Sequence, residues 1–473
     1  MPEQVAASLI APRRAAEAVA TPRNRLVPHC GCMECVETDH DATVQHEARA
    51  AARAALRWVT DAGVAVSGAM TWPSTRTPGA PYSDDLYFGT AGILAALAEA
   101  KLGGLNEFDD HANAAAERLR QLARLAAQED VGVCATELEP EMDVPDLSLY
   151  TGLGGVAAAL HMWAQVAGDN EAELDSRALV RSIAGRAAAE RSQLGWHDLL
   201  SGQAGIMLVL LTLGDQGARQ VASQLADQLT AEAQWVDGLP DWYPHRDKHV
   251  FQPNFSHGLA GIGYAFSVAG RELGRADLLD IAIVAARRLI QLGSQPDGTL
   301  AVPHSIPLAT AQAPVSYGWC NGATGTLRLF EQLDQIQPEA GWSQYAQAAR
   351  QAVRSSGLPA RLYPGFWDNL GQCCGTAGVG EMALDRYQQT GDKEWLAWAE
   401  TLAVDVLNRS INDQSGVRWA HTEHRQDPPE LEPTVGFMQG TAGIASWLLR
   451  LSRVQHDGPE AATIWWPDRP DIR

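Results

Sequence analysis

Apolar and polar positions along this chain follow a two-part cycle. In one part, apolar residues recur at helical spacing while charged residues keep to the opposite face. Segment 276–293 (ADLLDIAIVAARRLIQLG) is typical, with Asp277, Asp280, Arg287 and Arg288 at the polar positions. In the other part, as in GLAGIGYAFSVAG from Gly258, the segment is apolar nearly all round, and a helix of that kind must be buried. The amphipathic helices are expected at about 42–59, 111–129, 179–192, 220–234, 276–293, 342–357 and 395–410. An apolar helix follows each of them and opens on two glycines three residues apart.

The glycine-led segments begin at Gly89, Gly152, Gly202, Gly258, Gly322, Gly375 and Gly440, at steps of 63, 50, 56, 64, 53 and 65 residues. Seven copies at a near-regular step define a repeat of one outer amphipathic and one inner apolar helix. An open solenoid of such units would need polar capping repeats at both ends, and none is visible. The expected fold is therefore all-α: an α/α toroid, a double ring of seven outer and seven inner helices spanning 42–453. Residues 1–41 read as a flexible N-terminal arm, and 454–473 as a C-terminal tail that lays Trp465 and Trp466 on the ring as a clasp.

Each glycine pair sits where a loop turns into an inner helix, where close packing or positive φ calls for glycine. Seven junctions of one polarity gather at one end of the ring, beside seven helix N-termini that favour negative charge. The residues just before the first glycines are Phe88, Thr151, Ser201, His257, Asn321, Cys374 and Gln439; one step further back lie Cys320 and Cys373. Three cysteines at two neighbouring junctions form a zinc-type donor set, Cys320, Cys373 and Cys374, with a fourth position open. Three thiolates make the ion electron-rich, better suited to activating a thiol than to polarising a carbonyl. His257 is the expected general acid for the carbon protonation that follows thiolate addition to a dehydroamino acid, and Asp198 its partner. His197, beside Asp198, is a further candidate.

Composition narrows the picture. The 473-residue chain carries a formal net charge of −21, which repels phosphate backbones and argues against a nucleic-acid partner. Seven cysteines imply no disulfide framework. With no run of 18 apolar residues and no secretory-type N-terminus, the expected location is the cytoplasm. Glycosidases also use α/α toroids, but they need two carboxylates flanking the scissile bond, and Asp198 is the one junction carboxylate read as part of the site.

The seven glycine pairs, WCNGATG from Trp319, QCCGTAG from Gln372, SHGLAG and HDLLSGQAG together resemble the lanthionine cyclase (LanC-like) family over about 42–453. The resemblance implies a seven-fold α/α barrel that binds Zn2+ and joins peptide cysteine thiols to dehydroalanine or dehydrobutyrine as thioether rings. It implies Cys320, Cys373 and Cys374 as zinc ligands and His257 with Asp198 as the pair that handles protons. The length is similar to that of a stand-alone cyclase, so the dehydrated precursor peptide would come from a separate dehydratase, with an export transporter as a further partner. The chain departs from the family in having Cys373-Cys374-Gly375 where many members have Cys-His-Gly, and Ser316 where many have arginine; Arg328 is a candidate substitute. Relatives that add glutathione to dehydroamino acids, prenyltransferases with a mixed metal set, and a non-catalytic zinc scaffold are the alternatives. Cys30, Cys32 and Cys35 with His29 or His40 could hold a second metal or form a plain tail, and Cys134 reads as packing.

Overall fold

The computed structural model describes residues 33–128, 146–308, 315–360, 369–422 and 427–469, with backbone alone for 33–43. Residues Met1–Ala42 and Thr43–Arg473 cluster as separate units, and the second carries the ring. Among the described residues helices alternate in chain order: α1 (Met33–Thr60), α2 (Thr90–Leu102), α3 (Asp109–Ala126), α4 (Leu153–Ala167), α5 (Asn170–Ala189), α6 (Gln203–Leu213) and α7 (Gln216–Glu232). They continue as α8 (Leu259–Leu273), α9 (Ala276–Gly293), α10 (Ala323–Ile336), α11 (Ser343–Arg354), α12 (Thr376–Thr390), α13 (Lys393–Asn408) and α14 (Thr441–Asp457). Even-numbered helices are the buried inner ring and odd-numbered ones the outer ring, so the expected α/α toroid is the observed fold. The helix expected from 179 starts earlier, at Asn170, because the Asp169 carboxylate caps it through Glu171 N and Ala172 N.

Closure is visible in the inner ring, where α14 packs against α2. The outer helix α1 ties the two ends of the chain together: Arg49 donates to Gly103 O beyond α2, and Gln45 to Ser452 O in α14. The seven junctions close a second ring of their own. Each residue two places before a first glycine donates its backbone N–H to the same position of the next junction. The bonds run Tyr87 to Tyr150 (3.0 Å), Tyr150 to Leu200 (3.0 Å), Leu200 to Ser256 (3.1 Å) and Ser256 to Cys320 (3.0 Å). Cys320 to Cys373 (3.0 Å), Cys373 to Met438 (2.7 Å) and Met438 to Tyr87 (3.0 Å) complete the circle. This girdle gives each buried strand of loop a partner on both sides, which buried backbone requires.

Space, not backbone angle, explains the glycine pairs. The first glycines are extended, with φ between −103 and −168. A Cβ on the second glycine would collide with a carbonyl oxygen of its own junction in every repeat, as Gly205 would with Leu199 O and Gly325 with Trp319 O. The loop can fold under its helix only if that side chain is missing.

A second repeat element was not anticipated. Antiparallel hairpins follow three outer helices: β1 (Val64–Val66) with β2 (Ala69–Pro73), which also pairs with β3 (Tyr82–Ser83), then β4 (Gln234–Val236) with β5 (Leu239–Asp241), and β6 (Ile411–Asp413) with β7 (Gly416–Arg418). A short β8 (His421–Thr422) pairs with β9 (Glu430–Leu431). In each of the three hairpins a buried tryptophan ties the hairpin back to its helix: Trp72 to Val59 O (2.9 Å), Trp242 to Leu229 O (2.7 Å) and Trp419 to Val406 O (2.8 Å). The Ser67-Gly68 and Asp237-Gly238 turns, with positive φ at both residues, were the available sequence signal.

Gly205→Ala should therefore destabilise the protein by about 1–3 kcal/mol through overpacking. Gly185→Ala, on an exposed face of α5 with open space around it, should be neutral or stabilising by up to about 1 kcal/mol. Urea unfolding of both variants checks this; equal effects would refute the spatial account.

Candidate functional site

The girdle decides which side chains meet. Cys320 and Cys373 hold the same position in neighbouring junctions and are joined by the 3.0 Å backbone bond, so their side chains leave adjacent points of one ring. Cys374 follows by one residue. The result is a cluster whose three sulfurs lie within 4.8 Å of one another, with Cys320 Sγ 3.1 Å from Cys374 Sγ and Cys374 Sγ 3.4 Å from Cys373 Sγ. None is in a disulfide. All three are buried, just ahead of the N-termini of α10 and α12, where the helix dipoles favour thiolate over thiol.

The donors fit a tetrahedral thiophilic ion. Zinc–sulfur bonds of about 2.3 Å place neighbouring sulfurs about 3.8 Å apart, close to the spacing found here. Three soft sulfur donors and no carboxylate within the cluster suit zinc rather than magnesium or calcium. Gly318 makes this approach possible: a Cβ there would press on the Cys374 backbone at 3.0 Å.

The thiols do not ionise alike. Burial works against a Cys373 thiolate, but hydrogen bonds from Cys320, Cys374, Tyr87 and Gln439 outweigh it and hold its pKa well below the usual thiol value. Hydrogen bonds to Cys373 and Cys374, and then burial, push the Cys320 thiol well up. For Cys374 the bond with Cys320 favours the thiolate, but the bond to Cys373, burial and the Cys373 charge together push the thiol well above its usual value. Burial and the neighbouring thiol charges keep the Tyr87 phenol protonated as a donor, and Gln439 Nε2 in turn donates to Tyr87 Oη at 2.7 Å. Asn321 Nδ2 approaches Cys320 Sγ at 3.5 Å.

On the other side of Cys320 the girdle leads to His257. Its neighbour Ser256 donates to Cys320 O, and Leu200 donates to Ser256 O. Asp198 sits four residues before Gly202, where its Oδ1 accepts from Ser201 N at 2.7 Å and closes the turn. Asp85 and Asn254 close their own turns in the same way, onto Phe88 N and His257 N. Asp198 thus has one oxygen committed to the loop, and the other, Oδ2, meets His257 Nδ1 at 2.8 Å. The carboxylate is fully buried while the imidazole keeps 28% of its side chain exposed, so Nε2 is the ring nitrogen left for a ligand. His197 points elsewhere: its Nδ1 meets Tyr243 O at 2.7 Å and its Nε2 meets Glu232 at 2.8 Å.

Arg328, the candidate substitute for an arginine at Ser316, pairs with Asp468 Oδ1 at 2.8 Å and lies over the Phe255 ring in the core. Cys30, Cys32 and Cys134 and the side chains of Cys35 and His40 lie outside the described residues, as does His29. The sequence reading gave Tyr87, Gln439 and Asn321 no role at the cysteines. The signal available was their register, two, one and one residues ahead of a first glycine.

Among the described residues no helix is long and apolar enough to cross a membrane. The solved structure of nisin cyclase superposes with a TM-score of 0.60 at 15% identity, covering 82% of this chain and 93% of that one. A sugar epimerase from a ruminal bacterium gives a TM-score of 0.46 at 12% identity, covering 89% and 99%. An α-1,6-mannanase from Salegentibacter gives 0.43 at 14%, covering 71% and 97%. Curated protein sequences yield no match. The model of the lanthionine synthetase C-like protein family matches residues 80–458. With the match extending over most of its length and a helical toroid shared with nisin cyclase, the chain belongs to the lanthionine synthetase C-like family.

Proposed function

We propose that the protein is a zinc-dependent lanthionine cyclase that adds cysteine thiols of a peptide to its dehydroalanine or dehydrobutyrine residues. The observation that carries this reading is the convergence of three buried thiols beside a histidine–carboxylate pair on one backbone girdle. Cys320, Cys373 and Cys374 would hold the zinc, which supplies Lewis acidity that makes a substrate thiolate available near neutral pH.

The chain's own residues account for the proton balance. The substrate sulfur loses its proton and bonds to the β-carbon of the dehydroamino acid, and the C=C π electrons move toward the adjoining amide carbonyl. The α-carbon then takes up one proton, so no net proton is consumed. His257 Nε2 is the group that carries this proton. Asp198 holds Nδ1, fixes the tautomer and supports the charge on the imidazolium when it forms. Because Asp198 Oδ1 is anchored by Ser201 N, the imidazole is held in one orientation. Tyr87, Gln439 and Asn321 orient the sulfurs by hydrogen bonding. The substrate would be a dehydrated precursor peptide made in the cytoplasm by a separate dehydratase, and an export transporter would take the product.

Two outcomes are expected. Metal analysis of the purified protein should give one zinc per chain, lost in the Cys373→Ala/Cys374→Ala variant; a metal-free wild type would remove the basis of the mechanism. His257→Ala should keep its zinc while cyclisation of a dehydrated peptide slows by about 10²–10⁴-fold. Loss of zinc in that variant would instead identify His257 as a ligand.

Asp198→Asn tests the pair separately. It keeps the turn acceptor but removes the charge facing His257, so cyclisation should fall while the unfolding midpoint stays close to that of the wild type. A large loss of stability with normal turnover per folded molecule would assign Asp198 to the fold alone.

A further inference from the structure

The expected clasp goes further than lying on the ring: the chain after α14 runs inside it. Beyond Asp457, Gln388 near the end of α12 donates to Ala461 O (2.8 Å), and Arg453 late in α14 donates to Ala462 O (3.0 Å). These contacts lie toward the C-terminal ends of the inner helices, opposite the cysteines. Trp466 then reaches the level of the junctions, stacked on Phe437 with ring centroids 5.0 Å apart, and its Nε1 donates to Tyr150 Oη at 2.9 Å. The described part of the segment therefore climbs inside the ring and lies beneath the girdle by Asp468.

Asp468 is the residue that meets the site. Its side chain has no exposure to solvent. Oδ2 accepts from Trp319 Nε1 at 2.9 Å and from Tyr150 Oη at 3.1 Å, and Oδ1 faces Arg328 at 2.8 Å. A carboxylate this deep is tolerated only with its charge paired and its oxygens bonded. Trp319 immediately precedes Cys320, and its ring is packed between Tyr150 and Phe255. The indole N–H is thus bound to the C-terminal segment on one side while the next residue contributes a thiol on the other.

We propose that Asp468 is a positioning residue for the metal centre: by holding the Trp319 indole from below, the C-terminal segment fixes the Trp319–Cys320 turn so that Cys320 Sγ stays in ligating register with Cys373 and Cys374. The inference rests on the zinc reading given above. Residues of the tail, remote in sequence from every ligand, thereby set metal affinity.

The test measures metal affinity of the full chain with Co2+ and Zn2+ against a competing chelator, and records the cobalt–thiolate absorption spectrum. Asp468→Asn should weaken binding about 10–100-fold and alter the spectrum, as loss of a residue that orients a metal ligand does. Trp319→Phe removes only the donor and leaves Asp468 paired with Arg328, so it should give a comparable loss; it also serves if Asp468→Asn does not fold. Combined, the two should be clearly non-additive. Trp242→Phe, which removes a hairpin bond to Leu229 O away from both the cysteines and the tail, should lower the unfolding midpoint without changing affinity or spectrum. Unchanged affinity in Trp319→Phe, or a midpoint shift alone in Asp468→Asn, would reduce the segment to a structural plug and overturn the proposal while leaving the zinc reading intact. A wild type that binds neither ion would overturn both.

Discussion

The closed girdle of seven backbone hydrogen bonds is the constraint from which the rest of the molecule follows. Each junction has its N–H and C=O satisfied by its two neighbours, so no junction can be displaced without leaving buried polar groups unpaired at both adjoining positions. A circle of this kind also fixes register. The residue two places before each first glycine must occupy the girdle, and the residue after it has a fixed place beside the inner-helix N-terminus. Cys320 and Cys373 occupy the first of these positions, and Cys374 and His257 the second. The geometry of the site is therefore a property of the ring and not of any one loop.

The requirement for glycine comes from the same constraint. A junction that passes beneath its own helix brings the carbonyl three residues before the first glycine into the space where the second glycine's Cβ would stand. Where loops from neighbouring junctions approach, further glycines recur for the same reason: a Cβ on Gly318 would press on Cys374, one on Gly371 on Gln439, and one on Gly436 on Phe88. These contacts bring the fifth, sixth, seventh and first junctions close around the thiols.

The interior of the ring is not a uniform apolar core. Buried Arg450 pairs with Glu381 and half-buried Asp385, half-buried Arg469 reaches the same two carboxylates, and half-buried Arg328 pairs with buried Asp468. Two of these six residues belong to the C-terminal segment: Arg469 adds a second cation beside the Glu381 and Asp385 carboxylates, and Asp468 gives Arg328 its carboxylate. Such pairs add little net stability relative to apolar packing, but losing one partner is costly. They specify the path of the tail, which brings Asp468 under Trp319.

Much of this protein was legible in its sequence. The glycine period, the alternation of amphipathic and wholly apolar helices, and the placing of cysteines ahead of two glycine pairs are local patterns, and local sterics and burial enforce them. They determine the toroid, and they carry the family resemblance that the match over residues 80–458 bears out. The hairpins with Trp72 and Trp242 were also legible in principle, since Ser67-Gly68 and Asp237-Gly238 are short-range turn signals, whereas the hairpin with Trp419 turns through Gln414-Ser415 and carries no such signal. What only the tertiary structure decided is how residues from distant repeats meet. Periodicity cannot tell that Asp198 turns its free oxygen to His257 while His197 turns away, that Tyr87 and Gln439 reach Cys373, or that Asp468 ends beneath Trp319. Those contacts join residues 59, 286, 66 and 149 positions apart, as with His257 and Asp198, Tyr87 and Cys373, Gln439 and Cys373, and Trp319 and Asp468 respectively. They exist because ring closure and the buried path of the tail bring those chain segments together, and nothing in the local sequence encodes a distance through space.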